Sequence, residues 1–167
     1  MGLVWDEEFD EYVAAHWPRL VRSAVLLGCS RPEAEDLVQS TLERCLLKWA
    51  KVGRADDREA YVHRMLVNGF ISSRRRRWHG ERPTEVLPEV AAVDETARAD
   101  EADRVRRALA RLSPEQRAVV VLRHYAMLSE KETARALGVA AGTVKSRLSR
   151  ALAVLAADPT LREEASR

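Results

Sequence analysis

The chain has 167 residues, enough for one ordinary domain or two small ones. Apolar residues make up 46% and aromatics 5%, with Ala, Leu, Val and Arg prominent, a mixture that favours helix over sheet. No run of about 18 apolar residues occurs, and two cysteines, Cys29 and Cys45, are too few for a disulfide framework or a metal-ligand set, which excludes membrane-spanning and disulfide-stapled classes.

The opening Met1-Gly2-Leu3-Val4-Trp5-Asp6-Glu7-Glu8 is acidic and has no basic-then-apolar leader pattern, so a cytoplasmic protein is expected. From residue 8 to 27, Phe9, Tyr12, Val13, Trp17, Leu20, Val21, Ala24 and Leu27 recur at spacings of three and four. From 31 to 52 the stripe is Ala34, Leu37, Val38, Leu42, Cys45, Leu46 and Trp49, and from 57 to 78 it is Tyr61, Val62, Met65, Leu66 and Phe70. Three amphipathic helices are therefore predicted, packing as one bundle that ends near Trp78. The cysteines read as two small apolar side chains in that core.

Residues 79–103, with Gly80, Pro83 and Pro88, break the pattern and read as a flexible linker with a short helical lead-in at its end. Further helices are predicted at 101–112, 114–126, 130–136 and 141–156. Four starts carry capping chemistry: Ser30-Arg31-Pro32-Glu33, Asp56-Asp57-Arg58-Glu59, Ser113-Pro114-Glu115-Gln116 and Ser129-Glu130-Lys131-Glu132. In each, a side-chain oxygen can accept from an orphan backbone N–H while the Glu or Gln reaches back. The fold class is all-α: two small helical domains, at 1–78 and 104–157, joined by the linker and followed by a short tail at 158–167.

Net charge is only +2, but its distribution is uneven. Residues 1–60 carry 8 basic and 12 acidic side chains, residues 61–78 carry 5 and none, residues 79–103 carry 2 and 8, and residues 104–157 carry 11 and 3. Two basic blocks flanking an acidic spacer suit two contacts with a polyanion, for which nucleic acid is the candidate.

The most specific local pattern is SEKETARALGVAAGTVKSRLSRAL at 129–152. Thr133, Ala134 and Leu137 face inward on a first helix, Gly138 makes the turn, and Val139 plugs the angle. On the second helix Val144, Leu148 and Leu152 face the core, while Thr143, Lys145, Ser146, Arg147, Ser149 and Arg150 face out. This is a helix-turn-helix layout whose second helix can enter a major groove. The competing reading is a helical hairpin with a solvated basic face. Residues 133–157 contain no acid, which favours phosphate and base-edge contacts.

The stretch Leu112 to Leu155 strongly resembles region four of extracytoplasmic-function (ECF) sigma factors, the bacterial family in which this domain reads the −35 promoter element. Ala34-Glu35-Asp36-Leu37-Val38-Gln39 looks like the family's region two signature, which implies that Asp36 and Gln39 dock on the β′ clamp helices of core RNA polymerase. Residues 56–78 resemble the part of region two that opens and reads the −10 element. There the resemblance implies a loop at Gly53–Ala60 that holds a flipped base, with Tyr61 and Asn68 beside it. Arg74, Arg75, Arg76 and Arg77 suit phosphate contacts, and Trp78 could stack on a base or pack.

The resemblance implies an all-α, cofactor-free factor that binds core polymerase, through the clamp helices and the β flap, and promoter DNA. It also adds an anti-sigma protein to the candidate partners. The linker is expected to thread the polymerase's basic channels and to screen the recognition helix in the free factor. Departures are Ser72-Ser73 before the Arg run and Ser40 where an acid is common. The alternative is a helix-turn-helix activator that does not bind core polymerase. An enzyme is the weakest option: His16, His63, His79 and His124 have no metal-ligand spacing, and no phosphate loop, nucleophile elbow or paired-acid site occurs.

Overall fold

The computed structural model describes residues 7–80 and 96–162. The N-terminal half holds α1 (Glu7–Leu27), α2 (Arg31–Leu46), α3 (Trp49–Val52) and α4 (Arg58–Gly80). The C-terminal half holds α5 (Thr96–Ala110), α6 (Pro114–Val120), α7 (Glu130–Leu137), α8 (Ala141–Ala156) and α9 (Pro159–Arg162). No strand occurs among the described residues. The expected linker at 79–103 falls mostly outside them, and α5 already begins at Thr96.

The three serine boxes form as the sequence predicts. Ser30, Ser113 and Ser129 each accept from the backbone N–H three residues on, while Glu33, Gln116 and Glu132 reach back to the cap N–H. The aspartate box is shifted by one residue. Asp57, not Asp56, accepts from the Ala60 N–H at 3.0 Å. Glu59 turns away to pair with Arg19 at 2.9 Å.

The single helix expected over 31–52 is two. It breaks at Leu47 and Lys48, where Leu47 is 83% exposed and Lys48 leaves the helical region at φ −121°, ψ 19°. Beyond the break, Trp49 and Val52 are buried. Trp49 then stands edge-on to Phe9 at 5.0 Å and beside Tyr12 at 5.4 Å. Around this pair, Leu20, Val21, Ala24, Val38, Leu42, Cys45, Val62 and Leu66 complete the N-terminal core. Burial lifts the Cys45 thiol to about 11, and its Sγ sits 3.6 Å from Met65 Sδ.

Helix α6 ends in a π-helical turn over Val121–Tyr125. There the Ala126 N–H bonds to the Val121 carbonyl, and the Leu128 N–H to the Leu122 carbonyl. Met127 follows at φ +59°, a conformation L residues rarely adopt, and is 72% exposed. Arg123 donates to the Leu128 carbonyl and closes the turn.

The two halves do not stand apart. One core runs through both: Leu27 from α1 and Ala60, Val67 and Phe70 from α4 join Leu109, Leu112, Leu122, Leu128, Ala136 and Ala151. Helix α4 packs on α7, and α1 packs on α6 and its π-turn. Arg19 crosses the joint. It pairs with Glu59, donates to the Tyr125 carbonyl at 3.2 Å and lies 6.0 Å from the Tyr125 ring.

Candidate nucleic-acid interface

The helix-turn-helix is built from α7 and α8. Gly138 ends α7 at φ +66° and ψ 36°, the left-handed region where a Cβ is disfavoured. The Val139 N–H returns to the Ala134 carbonyl at 3.0 Å. Thr133, Ala134 and Val144 are buried between the helices, with Val119 from α6 beneath them. Leu152, expected in the core, is 43% exposed, and the fully buried Ala151 takes that place. A small residue there lets α8 lie close on α6.

With that stripe fixed, the outer face of α8 follows. Lys145, Ser146, Ser149 and Arg150 are exposed, and Thr143 and Arg147 flank them half-buried. The six predicted −35 contacts thus share one continuous arc around the helix. Ser146 Oγ is turned to the Thr143 carbonyl at 3.1 Å. The N-terminal turn beside Gly142 is open, since a Cβ there would meet nothing within 4 Å.

On α4 the arrangement is more divided. Asn68 and Arg75 are exposed and Tyr61 is half-buried, and the three lie on one face by helical spacing. Arg64 and Ser72, also exposed, fall on the same face. The sequence pattern pointed to Ser72 only as a departure and not to Arg64, although Arg64 lies four residues before Asn68 and Ser72 four after. Arg74 points elsewhere. Its guanidinium donates to the Gly28 carbonyl at 2.7 Å and lies 5.2 Å from the Phe70 ring. Arg76 lines a groove between α2 and α4 with Arg44, Asp36 and Ser40. The side chains of Arg77 and Trp78 lie outside the described residues.

The loop expected to hold a base runs from Gly53 to Asp57, and Ala60 already belongs to α4. Arg58 closes one side of that entry, pairing with Glu8 at 2.7 Å and lying 4.9 Å from the Trp49 ring. On α2, Asp36 and Gln39 are both exposed, and Gln39 Nε2 donates to Glu43 at 3.3 Å. They stand opposite the buried stripe of Ala34, Val38, Thr41 and Cys45. Among the described residues no cluster of His, Cys, Asp and Glu could hold a metal ion, and no helix is long and apolar enough to cross a membrane.

Comparison with known proteins covers both halves. The family described as Sigma-70 region 2 matches residues 12–80, and Sigma-70, region 4 matches residues 102–155. The RNA polymerase sigma-E factor of Streptomyces avermitilis is 43% identical over 150 residues, covering 89% of this chain and 83% of that one. The ECF RNA polymerase sigma factor SigM of Mycobacterium tuberculosis is 39% identical over 150 residues, covering 89% and 75%. Among solved structures, the sigma factor RpoE in complex with the anti-sigma factor NepR, from Bartonella quintana, aligns with a TM-score of 0.67 at 27% identity, covering 90% of this chain and 95% of that one. CnrH in complex with the cytosolic domain of CnrY aligns at 0.65 and 25%, covering 92% and 88%.

Proposed function

The chain belongs to the ECF family of RNA polymerase sigma factors, and from that premise we propose a division of work among its surfaces. As a sigma factor it binds core RNA polymerase and directs promoter-specific initiation. The observation that carries this over a free-standing helix-turn-helix activator is that the likeness spans 89% of the chain and includes the N-terminal half. An activator would need only α7 and α8.

Residues 1–78 engage core and the −10 element, and residues 104–157 engage the −35 element. Asp36 and Gln39 offer a carboxylate and an amide, one turn apart, to the β′ clamp helices. The arc from Thr143 to Arg150 enters the major groove at −35, where Lys and Arg meet phosphates and base edges. Tyr61, Arg64, Asn68 and Arg75 form the −10 face. An aromatic and an amide beside cationic side chains can offset the unstacking of a flipped base. Arg76 and Arg77 add positive charge for phosphate contacts at the end of α4. Arg74 secures the end of α1 and strengthens the local positive field.

The polymerase performs the chemistry; this chain supplies promoter choice and strand opening, in the cytoplasm where polymerase and chromosome meet. It needs no cofactor. An anti-sigma protein is a further partner, by analogy with RpoE and CnrH in their complexes.

The test is reconstitution with sigma-free core polymerase and transcription from a pool of random promoter fragments. Initiation downstream of one recurring pair of elements is the expected result. Asp36→Ala with Gln39→Ala should weaken core association without weakening −35 binding. Specific DNA binding with neither initiation nor core association would return the chain to the activator class.

A further inference from the structure

Helices α2 and α4 leave a groove of about 320 Å³ between them, at the lower end of the range for small-ligand sites. Arg44 enters it from α2, and Arg74 and Arg76 enter from α4. Two of these guanidiniums are held in place. Arg44 Nε donates to the Ser40 carbonyl at 3.0 Å. Arg74 donates to the Gly28 carbonyl at 2.7 Å and lies 5.2 Å from the Phe70 ring. None of the three forms an ion pair among the described residues. Three cations lining one groove repel one another, and an anion lying among them offsets that cost.

Gly69 shows that the placement of Arg44 is built in. It is buried in the middle of α4, where glycine is a poor helix former. A Cβ there would lie 2.9 Å from Arg44 Nη2 and 3.0 Å from Leu37 Cδ1. The missing side chain lets the Arg44 guanidinium rest against α4. The serine departures in the sequence meet here as well. Ser40 and Ser73 both line the groove, where an acid would set a carboxylate among the arginines. The acids that do line it, Glu33 and Asp36, lie on α2. Glu33 is committed to its capping box, accepting from the Ser30 N–H at 2.8 Å. Asp36 is exposed and belongs to the face proposed for core docking.

We propose that this groove is a site for a small oligophosphate, linked phosphoryl groups as in a nucleoside diphosphate, and that its occupancy weakens docking of core on Asp36. Guanidinium forks hold phosphate oxygens bidentately, and cations on both walls suit linked phosphates better than a single one. Leu37 lines the groove too and offers apolar contact to the body of such a ligand. A bound oligophosphate sets like charge beside the Asp36 carboxylate and fills space along the α2 face. By linkage, core docked on α2 weakens the ligand to the same extent. The site stands without the sigma reading; its effect on core rests on it. Arg76 also serves promoter phosphates, so a DNA strand is the rival source of phosphate for this groove.

The experiment titrates inorganic pyrophosphate into the full chain by calorimetry, without divalent cations. Pyrophosphate should bind about tenfold more tightly than sulfate at equal ionic strength, because it reaches cations on both walls. Arg44→Ala should weaken it about tenfold. Arg44→Lys, which keeps the charge but not the fork, should fall between. Gly69→Ala should weaken it several-fold while every charge remains, which separates a shaped site from a merely basic surface. Arg44 is exposed, so its variants keep the result decisive if Gly69→Ala fails to fold. Arg31→Ala removes a cation of α2 outside the groove and should change nothing. Saturating pyrophosphate should then lower core association of the parent about fivefold. It should lower that of Gly69→Ala less, the polymerase's own response to pyrophosphate being common to both. Equal affinity for pyrophosphate and sulfate, or Arg44 and Gly69 variants that bind like the parent, would overturn the site. So would a −10 oligonucleotide that loses as much affinity as pyrophosphate in Gly69→Ala, since the groove would then belong to DNA. Core association indifferent to pyrophosphate would overturn the coupling. Absence of any core binding would instead overturn the sigma reading.

Discussion

Helices α4 and α8 both carry a basic face, but they are held in different ways. Helix α8 rests on the molecule along one stripe, Val144, Leu148 and Ala151, and Lys145, Ser146, Ser149 and Arg150 off that stripe are open. Helix α4 is buried along two adjacent stripes. Val62 and Leu66 face α1 and α2, while Ala60, Val67 and Phe70 face the C-terminal half. Only one side of it remains for a ligand. A helix held on one stripe can spend every outward residue on recognition. A helix held on two must divide consecutive side chains among tasks, and the arginine run shows the division. Arg74 secures the Gly28 carbonyl, Arg75 joins the open face, and Arg76 lines the groove beside Arg44.

The largest expected effect tests that division directly. Phe70→Ala should cost about 3–5 kcal/mol, because the ring is buried at the joint between the halves and lies beneath Arg74. Arg75→Ala, five residues on, should leave stability within about 0.5 kcal/mol and weaken promoter opening instead. Chemical denaturation of both variants, with transcription from one promoter, checks the pair. A Phe70 variant losing less than about 1 kcal/mol would mean that α4 is held on one stripe like α8.

A smaller effect sharpens the picture of α8. Arg150 sits near the middle of the open arc and Lys145 at its flank. Arg150→Ala should weaken −35 binding by about 1–3 kcal/mol, roughly 5- to 150-fold, and relax preference at one base pair. Lys145→Ala should weaken all sequences alike and lower the salt slope by about 1. Binding isotherms at several salt concentrations separate the two. If both behaved like Lys145→Ala, the arc would hold phosphates without reading bases.

The same contrast explains what could be read from the chain alone. Helix α8 and its turn follow from neighbours in sequence: the Ser129 cap that opens α7, Gly138 at the left-handed position, and apolar residues at three and four. Local rules therefore placed nearly all of it, and only Leu152 and Ala151 exchanged roles, with Ala151 fully buried and Leu152 exposed. Helix α4 and the break before α3 depend on distant partners. The spacing within 31–52 already placed Trp49 inward, where it meets Phe9 and Tyr12, but nothing in that spacing encodes the break at Leu47 and Lys48. Pro18 is the reverse case: a helix breaker by rule, yet α1 runs through it, tied down by both cores. The docking of the halves was not legible, since Val67 and Phe70 read as parts of one stripe until their separate neighbours are known. Their closeness on the helix concealed that they serve a second core.

The smallest expected effect follows from the double burial of α4. His63 is 1% exposed between α1 and α4. Its Nδ1 lies 3.0 Å from the Glu59 carbonyl and its Nε2 3.1 Å from Ser23 Oγ. A neutral ring satisfies both when Nδ1–H donates to the carbonyl and Nε2 accepts the serine O–H. Protonation would remove that acceptor. Burial pushes the His63 pKa down, against opposing contributions from the Glu59 backbone and carboxylate. The unfolded chain, with a His near 6.5, therefore takes up its proton first as pH falls. Stability is fully present above about pH 6.5 and declines below it, by at most ~1.4 kcal/mol per pH unit for one proton, until the folded His63 itself titrates. His63→Gln keeps a donor and an acceptor without the proton uptake. Denaturation midpoints taken from pH 7.5 down to 5 should fall less steeply for this variant than for the parent. Equal slopes would show that His63 takes up its proton equally readily folded and unfolded, and that this side of α4 admits charge as the open face of α8 does.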